Sequence, residues 1–532
     1  EIPEGTIVHD ATGMTIYPAF IDLYAEYGVP AAKAVGERPE RLPQMLSNKQ
    51  GAYAWNEALK PEFAAHEAFV PSEKAAKPMR SQGFGAVLSH QMDGISRGTG
   101  TLVALGSGRS HEQILLEKAS HHLSFSKGKS TQNYPSSLMG SISLLRQTYL
   151  DGDWYKKYGR SEEVNLSLEA WNDAQTLPQI FEVRDRLDAL RAARIADEFK
   201  LRYIFKGGGD EYQRLEEIKA TNSAFIVPLN FPEAYDVEDP YDALLVDLAK
   251  MKHWELAPTN AGRLVEAGVD ICLTTHGLKK PNQFLNHLRK AVRHGLSKDE
   301  ALKALTYTPA SLIGASEQLG SLKRGKLASF FIANGDILEK GSQVMESWVQ
   351  GERLVIKEAG PDQPTGQYRL SVGRRSFDLE VKEKGSAFGM QIIVNDSTKV
   401  KVKSTLDGDR ITLSFTPEGE EGMLRLSGTM GEQSWTGRGQ MANGTWTSWS
   451  ATYQEPLEKD EKKKKKEEPV DPADLGSVIY PFSGYGREEL PTAQTYLIQN
   501  ATVWTNEAEG ILTETDVLVQ NGKISAIGKD LG

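Results

Sequence analysis

Residues 6–28, TIVHDATGMTIYPAFIDLYAEYG, decide how this chain is read. Asp10-Ala-Thr-Gly13 is a turn in which Gly13 can take the positive φ that other residues resist. Ile16 to Ile21 is a short apolar run around Pro18, suited to a strand buried on both faces. Asp22 to Glu26 then place polar groups just past its end. In a parallel β/α fold that rim is where chemistry is assembled.

Working outward, residues from about 18 to 315 alternate short apolar runs with longer amphipathic stretches, the pattern of βα units. Strands are expected at Gly83–His90, Gly100–Gly106, Pro178–Val183, Leu201–Lys206, Ala224–Leu229 and Val269–Thr275. A helix is expected at Ser72–Ser81, and another opens at Ser297 with Glu300 completing a capping box. Residues 111–160 read as mostly helical. Repeated strand–helix–strand units require right-handed crossovers and a parallel sheet, and this many of them close best as a (β/α) barrel.

Two stretches carry a family resemblance. The first is Asp-Ala-x-Gly-x-x-x-x-Pro-x-Phe-Ile-Asp, ending at Asp22. The second is GLSKDEALKALTYTPASLIGASEQLGSLKRGKLASFFIANGD, residues 295–336. Together they resemble the amidohydrolase superfamily, metal-dependent hydrolases of imidazolonepropionase-like type, at the first barrel strand and at the exit from barrel to side sandwich. The resemblance implies an α/β protein: a TIM-like (β/α) barrel over 16–315 with a small composite β-sandwich from 1–15 and 316–358.

Residues 363–454 change character, with period-two alternation and turns at Asn395-Asp, Asp407-Gly-Asp and Glu418-Gly-Glu, and read as an antiparallel β domain. Trp435, Trp446 and Trp449 fill its core or, alternatively, form a sugar-binding platform. Residues 455–475 form a charged linker whose centre, EKDEKKKKKEEP, cannot bury apolar area. The stretch 476–532 resembles the opening strands of a second amidohydrolase-like unit. The chain is therefore expected to be a fragment of a tandem protein, with a second unit of the same parent chain as its partner.

The resemblance also implies a metal site. The family holds zinc or another divalent ion on a His-x-His pair after strand 1, further histidines on strands 5 and 6, often a Lys or Glu on strand 4, and an Asp on the last strand. Here the first pair is Tyr24 and Glu26, the strand-5 histidine falls on Glu182, the next strand ends in Lys206, and His276 stands where the Asp belongs. His90 and Lys206 are further rim candidates. With the ligands replaced, no catalytic or metal-ligating residue and no bound cofactor are expected in this barrel. A Glu182–Lys206 ion pair across neighbouring strands is the plain structural reading. Two alternatives stand beside this reading: a hydrolase working with unusual ligands, or a module that binds without turnover.

His111, His121 and His122 fall in the stretch read as helical, where adjacent residues do not share a face, and are expected at the surface or in loops. Gly207-Gly-Gly209 reads as a βα turn rather than a phosphate cradle. The lone Cys272, inside an apolar run, reads as a buried small hydrophobe. The 532 residues are 39% hydrophobic and 25% charged with a formal charge of −10, which argues against nucleic acid or an anionic membrane as partner. No stretch approaches the roughly 20 apolar residues of a membrane span. The compartment stays open, and an extracytoplasmic one is compatible because a signal peptide would lie upstream. Oligomerisation is equally open.

Overall fold

A computed structural model describes residues 2–3, 5–32, 46–357, 365–384, 387–395, 398–431, 434–455, 457, 468–489 and 492–532. The charged run at the centre of the expected linker, 458–467, lies outside these. The chain divides into two compact units, Glu1–Ala234 with Trp254–Leu475, and Tyr235–His253 with Gly476–Gly532.

The deciding stretch forms two strands instead of one. β1 (Thr15–Pro18) and β2 (Phe20–Ala25) are separated by Ala19, and they belong to different sheets. The proline sits at the break, where its missing N–H takes no donor from a ladder. β1 is the edge of a four-stranded antiparallel sheet with β10 (Phe330–Ala333), β11 (Val344–Val349) and β12 (Glu352–Val355). The expected side sandwich is thus a single described layer, and residues 5–14 contribute no strand to it. Tyr17 and Phe331 stack on its inner face at 5.2 Å.

β2 opens an eight-stranded sheet that runs on through β3 (Phe84–Ser89), β4 (Ser96–Ala104), β5 (Ile114–Ser124), β6 (Gln179–Glu182), β7 (Tyr203–Lys206), β8 (Phe225–Pro228) and β9 (Ile271–Thr274). The sheet curls until its first and last strands meet. The Asp22 carboxylate accepts from Thr275 N–H at 2.8 Å and Thr275 Oγ1–H at 2.7 Å. Strands feed two apolar cores of opposite facing. Ile21, Leu88, Leu102, Ile180, Ile204, Ile226 and Cys272 form one, while Phe20, Phe84, Val103, Phe181, Phe205, Phe225 and Leu273 form the other with the surrounding helices. A sheet buried on both sides accounts for the near-continuous apolar runs that mark these strands in the sequence.

Two expectations are corrected. The strands are not all parallel, because β4 runs antiparallel to both β3 and β5. The stretch expected to be mostly helical from residue 111 begins with only one helical turn, Ser110–Gln113, and then forms the eleven-residue strand β5. The helix starts later, at Leu138–Lys157. Polar residues misled the periodicity: Ser120, His121 and His122 are fully buried, each satisfied in part by a side-chain hydrogen bond.

The antiparallel β domain is a closed eight-stranded barrel from β13 (Gly366–Val372) to β20 (Trp446–Glu455). Its interior is filled by Leu370, Leu379, Ile411, Leu426, Trp435 and Trp449 among others, whereas Trp446 is exposed. The second unit contains a three-stranded antiparallel sheet, Tyr496–Trp504, Ile511–Gln520 and Lys523–Gly528. No described helix is long and apolar enough to cross a membrane.

Candidate functional site

Side-chain parity places the site. Leu88, Ile180, Ile204 and Cys272 point into the ring, so His90, Glu182, Lys206 and, four residues on, His276 share that direction at the strand ends. Tyr24 reaches the same space from β2 and is 1% exposed.

The centre of this cluster is Arg97, from the start of the reversed strand β4. It is buried, and its three nitrogen positions are all used. Nη1 donates to the Tyr24 hydroxyl at 2.6 Å, Nη2 to Glu182 Oε2 at 2.5 Å, and Nε to the Gly94 carbonyl at 3.2 Å. Lys206 Nζ lies 4.0 Å from the other Glu182 oxygen and 5.6 Å from the centre of the Tyr24 ring. The expected Glu182–Lys206 pairing is present, and it is the longer half of a triad with Arg97.

Imidazoles pack round Tyr24. His90 and His276 meet its ring edge-on at 4.6 and 4.9 Å, and His122 stacks on His90 with centroids 3.5 Å apart and planes 9° from parallel. His122 accepts from or donates to Ser120 Oγ at 2.8 Å. Both ring nitrogens of His90, and Nδ1 of His122 and of His276, are buried without a hydrogen-bond partner. His121 points the other way, bonded to Ser96 and Gln179 and edge-on to Trp171. The surface placement expected for His121 and His122 is therefore overturned, while His111 is exposed.

Protonation follows from this packing. Burial lowers the affinity of His90 and His122 for a proton, and the neighbouring Arg97 lowers it further. His276 falls to about 4 through burial, with Lys206 adding to the effect. Burial pushes the Glu182 carboxyl up, but Arg97 and Lys206 outweigh it and hold the group ionised. Lys206 is lowered by burial, with Glu182 opposing. Burial raises the Tyr24 hydroxyl, with Arg97 opposing the rise and Glu182 adding to it. The cluster at neutral pH is a guanidinium, an ammonium and one carboxylate among neutral rings.

A divalent ion does not fit this donor set. Glu182 already pairs with two cations, Tyr24 gives its oxygen to Arg97, and a dication here would face Arg97 and Lys206 at close range. Glu26 lies exposed in the turn after β2. Among the described residues no group of three or more His, Cys, Asp or Glu side chains is arranged to hold a metal.

The glycine turn after β7 is closed by the chain itself. Gly208 N–H and Gly209 N–H donate to Glu211 Oε1 at 2.7 and 3.1 Å, and Asn260 holds the other oxygen at 2.6 Å. An internal carboxylate occupies the place an anion would take.

Residues 258–357 match the amidohydrolase family. The structure is similar to an amidohydrolase from Thermotoga maritima MSB8, 20% identical with a TM-score of 0.53, over 66% of this chain and 90% of that one. The likeness to amidohydrolases thus rests on residues 258–357 in sequence and on the fold. Amidohydrolases are typically metal-dependent, and the side chains at this barrel mouth do not present such a site. A prolidase solved with N-methylphosphonate-L-proline (14% identity, TM-score 0.37, 67% and 90% of the two chains) and a Xaa-Pro dipeptidase with bound methionine (12%, 0.37, 67% and 92%) are also similar at a lower level. No curated protein matches the sequence. At 20% identity the likeness to the Thermotoga protein carries the fold alone.

Tyr24, Glu182, Lys206 and His276 were readable as strand-end positions, and the structure brings them together with His90. Arg97 and His122 were not. The available signal was Arg97-Gly-Thr-Gly100, because glycines inside a strand mark close approach. Gly98 has φ +79° with the Phe63 carbonyl 2.0 Å from where a Cβ would stand, and a Cβ at Gly100 would meet His122 at 2.6 Å.

Proposed function

We propose that this chain is part of an amidohydrolase-type hydrolase acting on C–N bonds other than peptide bonds, and that its barrel contributes no metal centre of its own. The observation that carries the reading is the buried Arg97 guanidinium bonded to both Tyr24 and Glu182. A fixed organic cation, neutralised locally, stands where hydrolytic water activation would need an open metal coordination position. The barrel then serves a structural or regulatory role beside an active second unit, to which residues 476–532 supply the opening strands. Their three-stranded antiparallel sheet, with Tyr496, Ile498 and Ile524 exposed, supports that assignment.

The test is metal analysis of this chain after incubation with excess zinc and gel filtration, alongside Arg97→Ala and Glu182→Ala. The expected result is substoichiometric zinc in all three and no hydrolysis of cyclic amides or dipeptides. One zinc per chain, lost together with hydrolysis in Glu182→Ala, would overturn it.

A further inference from the structure

Lys206 is a buried amine whose partner, Glu182, stands at ion-pair rather than hydrogen-bond distance. It is 7% exposed, yet among the described residues its Nζ donates no hydrogen bond. Its nearest carboxylate oxygen is 4.0 Å away, and otherwise it faces the Tyr24 ring. A structural lysine carries three donors and is normally buried only when they are paired. Glu182 cannot draw closer without loosening its 2.5 Å bond to Arg97. Burial also favours the free amine over the ammonium. A desolvated amine at the C-terminal end of a barrel strand, with a carboxylate oxygen 4.0 Å from it, has the properties of a carbonyl-directed nucleophile.

We infer that Lys206 forms an iminium with small 2-oxo acids. This goes beyond the function proposed above: a mouth unsuited to a divalent ion still presents a reactive nitrogen. Lys206 stands beside Glu182, whose side chain also lines a cleft of 620 Å³ with Ser124, Ser126, Lys127, Ser137 and Arg184. The preference for an acid follows from charge, since Arg97 and Lys206 outnumber Glu182 by one at the mouth.

The steps balance without an added oxidant or reductant. Glu182 takes one proton from the Lys206 ammonium. The freed amine forms a C–N bond at the ketone carbon as the carbonyl π pair moves to oxygen. That oxygen is protonated using a proton released from nitrogen, and Glu182 returns its proton as the hydroxyl departs as water. An ammonium and a carbonyl thereby become a protonated imine and water, with Glu182 unchanged.

The experiment incubates the intact chain with pyruvate and sodium cyanoborohydride, which reduces the iminium to a stable secondary amine, and maps modified lysines by peptide mass spectrometry over time. The expected result is labelling of Lys206 at least about tenfold faster than the median exposed lysine, slowed in Glu182→Gln and reproduced with glyoxylate. Lys206→Arg, checked for folding by circular dichroism, removes the fast site and leaves the slow ones. Labelling of Lys206 at or below the surface rate in the unaltered chain would overturn the assignment, whatever the variants do.

Discussion

Arg97 neutralises Glu182 and orients Tyr24, so its removal leaves a buried carboxylate and a buried hydroxyl without partners. Breaking such a pair from one side costs about 3–5 kcal/mol. Arg97→Ala is expected to lower unfolding stability by that amount, read from the urea midpoint at pH 7.5. Arg97→Lys should recover only part of it, because an ammonium cannot hold both oxygens in the planar geometry of a guanidinium. At this scale the sequence showed which positions gather at the mouth, because each falls at the end of an apolar run. It did not show Arg97, which stands at the beginning of its strand. Nor did it show His122, which lies in a strand where a helix was expected.

At the scale of elements, the closing contact is the Asp22 carboxylate on Thr275. Asp22 is fully buried, and burial raises its carboxyl while the Thr274 and Thr275 hydrogen bonds oppose that rise. Asp22→Ala removes two hydrogen bonds between the first and last strands and leaves the Thr275 N–H unpaired. We expect a loss of about 2–4 kcal/mol, accompanied by faster amide exchange at Ile271–Thr274 than at Gln179–Glu182. The reversed strand explains what was illegible here. When β4 runs against its neighbours, the residues that lead into it become rim residues, and a reading that looks for chemistry after each strand passes over them. β5 escaped for a related reason, since hydrogen-bonded serine and histidine can fill a strand as fully as valine does.

For the whole molecule, the buried imidazoles set a pH dependence. His90, His121, His122 and His276 all bind protons less readily folded than unfolded. The unfolded chain therefore takes up protons first as pH falls below about 6.5. Stability is expected to be flat above pH 7.5 and to decline from 6.5 downward, each histidine contributing at most about 1.4 kcal/mol per pH unit. Urea unfolding at pH 7.5, 6.5 and 5.5 measures it, and His90→Gln should make the decline shallower. The alternation of apolar and amphipathic stretches disclosed the mixed α/β body, and period-two alternation disclosed the separate β domain. The closure of that second barrel rests on pairing between residues 77 to 88 positions apart, which local pattern does not encode.

That pairing sets Gln367 beside Glu455, so the polypeptide enters and leaves the second barrel a single strand's width apart. A cassette whose two ends coincide can be gained or lost without pulling its surroundings open. Joining residue 357 to residue 468 through a short Gly/Ser tether should leave the thermal midpoint of the remaining chain within a few degrees of its original value. The chain could thus have acquired its all-β insert in one step, around a body that was already complete without it.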